Sequence, residues 1–297
     1  MTTDSSPFDI DSRQIRRSFS QAAPNYDAVA AIQTEVRQRL LERLDWMRIA
    51  PSCVLDVGSG TGHGSTSLAQ RYDKATVLSL DIALGMLQQA RSRISWWQRW
   101  RSKQHLICAD ATALPLATNS TDLIFSNLTL QWCHDLDRVV GDFRRVLRPN
   151  GLVMFSTFGP DTLKELRAAW RTVDNYNHVN AFMDMHDIGD GLVRAGFADP
   201  VMDVEHITLT YPEPMKLMRE LKLIGAHNVT AGRNRGLTGR HALKKVIDAY
   251  EQFRRDGALP CTYEVVYGHA WIPNETKSRA TNGEVRISLQ QLRGKKL

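Results

Sequence analysis

Short apolar runs that alternate with helical stretches are the feature that most restricts how this chain can fold. Five such runs have the length and composition of buried strands, at residues 53–57, 76–80, 105–108, 122–126 and 152–157. Between two of them, apolar residues recur at helical spacing, as at Met86, Ala90 and Ile94. Strands that alternate with helices predict an α/β fold, in which a parallel sheet is covered by helices on both faces.

Four of these strands end in residues suited to ligand binding. A glycine-rich loop follows Val57, while Asp81, Asp110 and Asn127 lie at or just after the ends of the next three strands. The carboxyl ends of parallel strands meet at one edge of a sheet, and ligands of α/β proteins bind there. The sequence therefore predicts a ligand site at this edge.

The glycine-rich loop begins with Asp56 and contains Gly58, Gly60 and Gly62. The spacing of the dinucleotide fingerprint is not met, and no Lys-Ser/Thr pair follows that would mark a phosphate-binding P-loop. An acidic residue here suits a cofactor with an ammonium and a sulfonium better than a pyrophosphate. The loop resembles motif I of the class I methyltransferases. This implies a Rossmann-like fold that binds S-adenosyl-L-methionine and releases S-adenosyl-L-homocysteine.

The same resemblance assigns residues after the next two strands to the cofactor. Asp81 is expected to accept hydrogen bonds from both ribose hydroxyls, and Ile82 and Met86 are expected to pack against the adenine. Asp110, together with Ala111, is expected to accept the adenine amino group. The alternative for both acids is the capping of a helix or a turn.

Asn127 begins a run, Asn-Leu-Thr-Leu-Gln-Trp, that is predicted to line the methyl-transfer site; Asn127 itself is counted with the cofactor-binding residues. The run lacks the Asn-Pro-Pro-Tyr segment of many methyltransferases that act on amino groups of nucleobases or glutamine. The sequence thus argues against a nucleic-acid substrate.

Segments outside these motifs resemble one family more closely, the malonyl-acyl-carrier-protein O-methyltransferases of biotin synthesis. The first segment carries Arg17, Phe19, Tyr26 and Gln33. Further segments lie at residues 126–132, 155–158, 163–166, 178–182, 221–226, 236–240 and 262–267. The resemblance covers about residues 12–272.

The resemblance also implies an architecture with a seven-stranded, mostly parallel sheet, whose last two strands are predicted near 201–210 and 261–272. Two helices at 12–20 and 27–46 are predicted to form an N-terminal cap over the active site. The expected units are a cap at 1–48, a methyltransferase domain at 49–272, a basic helical lid at 213–257 between the last two strands, and a flexible tail at 273–297.

The family methylates the free carboxylate of a malonyl thioester on acyl carrier protein, and the ester primes synthesis of the pimeloyl precursor of biotin. This carboxylate is already ionised at neutral pH and is itself the nucleophile, so no general base is expected. Neutral donors, or an arginine that leaves one oxygen free, are favoured, because a tight bidentate arginine pair would occupy the lone pairs of the carboxylate. The residues predicted to form this wall, with core packing or capping as the alternative, are Tyr26, Gln33, Trp132, His178 and Asn180.

The charge distribution favours an acidic protein partner. The chain has a net charge of +6, and residues 222–255 hold eight Lys or Arg against two acids. A basic face would steer an acidic acyl carrier protein toward the site. The residues predicted to bind the carrier or substrate are Arg144, Arg145, Arg240, Lys244 and Lys245.

Two other functions stay open at this point. One is a C- or O-methyltransferase of a quinone precursor or small carboxylic acid, and the other is a non-catalytic partner protein that binds the cofactor. The four cysteines form no CxxC pair, so reduced thiols and no metal site are expected. No apolar run approaches the roughly 20 residues needed to cross a bilayer, and the start of the chain is polar. A cytoplasmic protein without membrane contact is expected.

Overall fold

The computed structural model describes residues 11–94, 103–226, 236 and 239–274. Its centre is a seven-stranded sheet with the strand order β3-β2-β1-β4-β5-β7-β6. The strands are β1 Cys53–Val57, β2 Thr76–Asp81, β3 Gln104–Cys108, β4 Thr121–Asn127, β5 Leu147–Phe158, β6 Ala198–Tyr211 and β7 Leu259–Trp271. Strand β7 runs antiparallel to both of its neighbours, and the other paired strands are parallel. The predicted fold class is confirmed.

Helices flank both faces of this sheet. They are α1 Ser12–Ala22, α2 Tyr26–Val29, α3 Ala31–Arg43, α4 His63–Arg71, α5 Leu84–Arg93, α6 Leu136–Val146, α7 Lys164–Arg171, α8 Met185–Arg194, α9 Pro214–Leu223 and α10 Arg240–Glu251. On one face, α3 and α10 bury Val36 and Val246 in the core. On the other face, α6 and α8 bury Phe143 and Ile188.

The prediction of a single helix over 27–46 is wrong. The helical conformation is interrupted at Ala30, whose φ of −84° and ψ of 43° are not helical. The two parts pack against different neighbours. Val36 of α3 lies in the large core cluster, whereas Tyr26 of α2 packs beside Phe19 in a small separate cluster. One straight helix would not satisfy both sets of contacts.

The turn predicted at 148–151 lies inside a longer strand. Strand β5 begins at Leu147, leaves the regular pairing with β4, and resumes it at Leu152. Asn150 takes the left-handed conformation with a φ of 61°, which asparagine tolerates better than most residues. The predicted turn is therefore present as an irregularity within the strand.

Two helices, α9 and α10, lie between the last two strands of the sheet, where the lid is predicted. Part of that segment, at 227–235 and 237–238, lies outside the described residues, as does the predicted flexible tail from 275 onward. All four cysteines are free thiols. Within the described part of the chain, no helix combines the length and the hydropathy that a membrane crossing requires.

Candidate active site

A large cavity lies at the carboxyl edge of the sheet, where the sequence predicts it. Most of the predicted site residues line its wall. These are Tyr26, Gln33, Gly58, Gly60, Asp81, Ile82, Met86, Asp110, Ala111, Asn127, Trp132, His178 and Asn180. The cavity wall thus combines the ends of β1, β2 and β4, the loop after β3 and the N-terminal helices. The segments between β5 and β6 and between β6 and β7 complete it.

Asp81 ends β2 and holds the glycine-rich loop in place. Its Oδ2 accepts a hydrogen bond from the backbone N–H of Gly60 at 2.9 Å, and its Oδ1 accepts one from the N–H of Ala83 at 2.8 Å. Burial raises the pKa of Asp81 to about 6, and these two backbone bonds work against that rise. Each carboxylate oxygen retains a second lone pair for a ligand hydroxyl.

The first glycine of the loop is required by a close approach. Gly58 has a φ of +70°, and a Cβ built there would lie 2.0 Å from Oγ1 of Thr129. That hydroxyl donates to the carbonyl of Val57, which fixes it against the loop. Gly62, by contrast, does not line the cavity: it precedes α4 with a φ of +86°, and a Cβ there would meet Ala90 at 2.8 Å. Its predicted contact with the cofactor is therefore replaced by a packing role.

Asp56 does not face the cavity, and the prediction that its side chain contacts the cofactor is wrong. Its Oδ2 accepts a hydrogen bond from Oγ of Ser65 in α4 at 2.5 Å, because β1 ends with this side chain turned toward that helix. Burial, opposed by the bond from Ser65, raises the pKa of Asp56 to about 7. The guanidinium of Arg37 acts in the other direction and lowers it.

Asp110 caps its own turn and also lies in the cavity wall. Its Oδ1 accepts hydrogen bonds from the backbone N–H and the hydroxyl of Thr112, both at 2.8 Å, so it caps its own turn. It also lines the cavity beside Ala111 and the buried side chain of Met86. The predicted adenine site thus has an acid at its rim and apolar walls.

An aromatic wall joins the N-terminal helices to the loop after β4. The ring of Phe19 lies edge-on to Trp132 at 5.1 Å and to Tyr26 at 6.5 Å between centroids. Burial raises the pKa of the Tyr26 hydroxyl, and Asp81 and Asp27 add to that rise, so the group stays protonated. Phe19 was not predicted as a site residue, although it stands in the segment that carries the family resemblance.

Asn127 fixes the start of α3 to the sheet. Its Nδ2 donates to the backbone carbonyl of Gln33 at 3.1 Å, and its Oδ1 accepts from the hydroxyl of Ser156 at 2.9 Å. The side-chain Oε1 of Gln33 is buried and has no hydrogen-bond partner among the described residues. A buried acceptor without a partner costs about 1–3 kcal/mol, so this atom suits a ligand that brings a donor.

The second half of the cavity lies over β5, β6 and β7 and is mainly apolar. Phe158 at the end of β5 packs against Tyr263 of β7 and Phe182, with ring centroids 5.5 and 5.8 Å away. Tyr211, the last residue of β6, also lines this space. None of these residues was predicted as a site residue, although Phe158, Phe182 and Tyr263 stand in segments that carry the family resemblance.

His178 is held in a fixed orientation at this end of the cavity. Its ring stacks on the indole of Trp170 with centroids 3.7 Å apart and an interplanar angle of 6°. Its Nε2 lies 2.7 Å from Oδ1 of Asp174, which stands four residues earlier in the chain. Asp174 and Trp170 were not predicted as site residues. Asn180, which also lines this part of the cavity, is buried.

The comparisons with known proteins agree with this arrangement. A family model described as "Methyltransferase domain" matches residues 55–155. A malonyl-acyl-carrier-protein O-methyltransferase of Gallionella capsiferriformans is 56% identical over 285 residues, which are 95% of this chain and 98% of the relative. The chain belongs to the malonyl-acyl-carrier-protein O-methyltransferase family. A second member, from Methylovorus sp., is 57% identical over 89% of this chain and 90% of the relative.

A solved structure extends the agreement to the fold. A putative methyltransferase from Bacillus halodurans aligns with a TM-score of 0.57 over 80% of this chain and 99% of its own, at 16% identity. The class I methyltransferase fold of this family member is thereby confirmed.

The basic residues predicted for the carrier lie in two places in this methyltransferase. Arg144 and Arg145 occupy the last turn of α6, which leads into the start of β5, so they lie at the edge opposite the cavity. Arg145 is also engaged, since it donates to Oδ1 of Asp142 at 2.6 Å and to the carbonyl of Leu116 at 2.6 Å. These two arginines therefore lie away from the cavity, and their assignment to a carrier-binding face stays a prediction.

Arg240, Lys244 and Lys245 lie on α10 and are exposed. Helix α10 packs against the sheet through Val246 and Tyr250. It contributes no described residue to the cavity wall, so these three cations lie away from the cavity itself.

A group of three potential metal ligands is present on the surface of this methyltransferase. Ligand atoms of Asp161, His206 and Glu264 lie within 4.8 Å of one another. Both carboxylates already have partners: Asp161 pairs with Lys164 at 3.0 Å, and Glu264 accepts the backbone N–H of Asp161 at 2.6 Å. This group carries no further argument.

Proposed function

We propose that this protein transfers the methyl group of S-adenosyl-L-methionine to the free carboxylate of a malonyl group, held as a thioester on acyl carrier protein. The observation that carries the proposal is the composition of the cavity wall. Hydrogen-bond acceptors line its cofactor half, and neutral donors stand in its substrate half. No Lys or Arg of the described chain lines either half. The named activity of the full-length relatives agrees with this division.

The cofactor half suits a ligand rich in hydrogen-bond donors. The carboxylate of Asp81 fits the ribose hydroxyls, and the buried Oε1 of Gln33 fits the cofactor's ammonium, which has three N–H groups to give. A pyrophosphate would meet these acceptors with further negative charge. We therefore assign Gln33 to the cofactor rather than to the substrate wall. The bound cofactor supplies an activated methyl group on a sulfonium.

The substrate half suits a nucleophile that needs no activation. A malonyl carboxylate is ionised at neutral pH, so the residues around it only have to hold it in line. A paired guanidinium would occupy the lone pairs that must attack. The amide of Asn180 offers a neutral hydrogen bond that leaves one oxygen of the malonyl carboxylate free, which fits a wall without Lys or Arg.

Asp174 and Trp170 act on the substrate through His178. Because Nε2 of the ring faces the carboxylate of Asp174, Nε2 carries a proton, and Nδ1 is the nitrogen left for a ligand. Nδ1 donates to a malonyl carboxylate only when the ring carries both protons. Stacking on the indole fixes the plane of the ring. Asp174 and Trp170 are therefore positioning residues, and His178 is the residue placed against the malonyl group.

We also propose that the N-terminal helices and the segment between β6 and β7 close over the reacting groups. Helix α1 contributes Ile15 and Phe19 to the wall. Leu221, near the end of α9, and Ile224, just after it, also line the cavity. These are apolar side chains, and together with the aromatic wall they exclude water from the methyl transfer. The cap at 1–48 and the lid at 213–257 would then act as one cover.

The experiment incubates the protein with methyl-labelled cofactor and malonyl-carrier protein. We expect a base-labile methyl ester on the malonyl group, because only a carboxyl ester releases its label in mild base. The matched control is acetyl-carrier protein, which has the same carrier and thioester but no free carboxylate, and it should stay unlabelled. Labelling of a quinone precursor, with none on the malonyl carrier, would refute the proposal.

A further inference from the structure

Helix α1 carries an unbalanced set of positive charges. Its eleven residues include three arginines and no acid. Arg13, Arg16 and Arg17 are all exposed, and we call them the α1 basic face. Because residues three and four apart lie on the same side of a helix, these guanidinium groups project from one side within about 6 Å of axial rise.

An adjacent side of the same helix forms part of the cavity. Ser12, Ile15 and Phe19 line it, and Ile15 is buried. The α1 basic face therefore stands at the rim of the proposed active site, on the helix that separates the cavity from solvent. Helix α10, which carries the cations predicted from the sequence, has no described residue in the cavity wall.

The arginines of this face have no partner within the described chain. No hydrogen bond or ion pair links their guanidinium groups to another described side chain. Several other surface arginines behave differently: Arg43 pairs with Asp203 at 2.7 Å, and Arg194 pairs with Asp137 at 2.7 Å. Charges that are not neutralised internally generate a field that extends to an approaching partner.

The rim continues onto the neighbouring helix. Gly225, just beyond α9, packs so closely on α1 that a Cβ there would lie 3.2 Å from Cβ of Ala22. This contact brings the end of α9 beside α1, with Lys222 exposed and Leu223 46% exposed. An exposed leucine next to unpaired cations is a combination typical of a protein-binding surface rather than of a solvated helix.

We infer that the α1 basic face, extended by Lys222 and Leu223, is the surface on which the acyl carrier protein docks. The inference rests on the proposed function, which requires a carrier at the mouth of the cavity. Acyl carrier proteins are strongly acidic, so carboxylates one helical turn apart on the carrier would meet arginines at matching spacing. A carrier bound here places its thioester arm at the helix whose inner side lines the cavity.

The test reverses the charge of the α1 basic face in the full chain, with the substitutions Arg13→Glu, Arg16→Glu and Arg17→Glu together. We expect the KM for malonyl-carrier protein to rise at least about tenfold, because three attractive contacts become repulsive. The salt dependence of that KM should also flatten. The KM for malonyl-pantetheine, which has no acidic protein, and the Kd of the cofactor should stay within about twofold.

The matched control reverses three exposed cations of α10, Arg240→Glu, Lys244→Glu and Lys245→Glu, and so changes the net charge by the same amount. We expect its KM for the malonyl carrier to change much less. A second α1 variant with three glutamines should give an intermediate KM, and its circular dichroism shows whether the helix is kept.

The outcomes separate this inference from the proposed function. A wild-type protein that does not methylate the malonyl carrier refutes the proposed function. An active wild type whose KM responds to the α10 reversal but not to the α1 reversal refutes the docking surface alone. A rise in KM for malonyl-pantetheine equal to that for the carrier also refutes it, because the α1 variant would then have damaged the cavity.

Discussion

Replacing Asp81 by asparagine tests the assignment of the cofactor half most directly. The aspartate carboxylate accepts the backbone N–H groups of Gly60 and Ala83, one on each oxygen. An amide keeps one of these acceptors and turns a donor toward the other N–H. Asp81→Asn thus removes the negative charge offered to the ribose and one of the two bonds that hold the glycine-rich loop.

The expected loss follows from these contacts. A hydrogen bond to a charged group contributes about 1.5–3 kcal/mol, so the loss of one such bond to the ribose weakens binding about 10- to 150-fold. The loosened loop weakens binding further, so the lower end of this range is the smallest loss that we expect. Calorimetric titration with S-adenosylhomocysteine measures it.

The control ligand separates the two contributions. An analogue of S-adenosylhomocysteine without both ribose hydroxyls should bind the wild type more weakly than the complete ligand. Asp81→Asn should lose most of that preference, because the amide keeps a single acceptor and that acceptor carries no charge. A variant that keeps the wild-type preference for the hydroxyls would refute the ribose assignment, even if its overall affinity fell.

The pH dependence of binding provides a second measurement on the same residue. Burial raises the pKa of Asp81 to about 6, so its carboxylate becomes protonated as the pH falls through that value. Binding that uses the ionised form must then weaken below pH 6. Asp81→Asn cannot titrate there, so its affinity should stay level over the same range.

Three further predictions concern other parts of the site. Gly58→Ala should lower the Tm more than Gly60→Ala, because a Cβ at Gly58 would overlap the side chain of Thr129. A Cβ at Gly60 meets open space, so Gly60→Ala costs only the roughly 1–2 kcal/mol of an alanine in the left-handed conformation. For Asp56, the folded-state pKa of about 7 lies above its usual value near 4, so its stability contribution falls as the pH rises between them. Asp56→Asn should make urea midpoints less dependent on pH in that interval, and an unchanged slope would contradict the assignment. His178→Phe keeps the stacking but not the hydrogen bonds, so the KM for malonyl substrate should rise while the Kd of the cofactor holds; parallel changes in both would contradict its placement.

The fold and the cofactor half could be predicted from the sequence because their signals are local. A strand, a glycine-rich turn and a helix follow one another within a few residues, and Asp81 lies at the end of the adjacent strand. The topology of parallel strands then brings these ends together without further information. Gly58, Asp81 and Asp110 line the cavity at the predicted edge of the sheet for this reason, and their contacts with the cofactor stay predictions.

The same local signals do not show in which direction a side chain points. Asp56 stands one residue before the turn, and the pattern alone does not indicate that it faces Ser65 rather than the ligand. The same holds for Arg145. Its charge favoured a docking role, but its guanidinium donates to backbone carbonyls of a loop about thirty positions earlier. The pairing of His178 with Asp174 required knowledge of how an irregular segment folds back.

The buried acids of the cofactor half also explain why a cationic cofactor and an anionic substrate can share one cavity. Burial and mutual repulsion raise the pKa of Asp56, and burial raises that of Asp81, so both carboxylates ionise reluctantly in the free protein. A ligand with positive charges at this end favours their ionised forms and compensates their charge. A malonyl carboxylate that enters afterward meets a region already neutralised, whereas one that enters first is repelled. The electrostatics therefore favour cofactor before substrate. The proton that Asp81 releases when the cofactor binds near pH 6 is visible as a buffer-dependent heat. A heat independent of the buffer would contradict the ionisation on which this compensation depends.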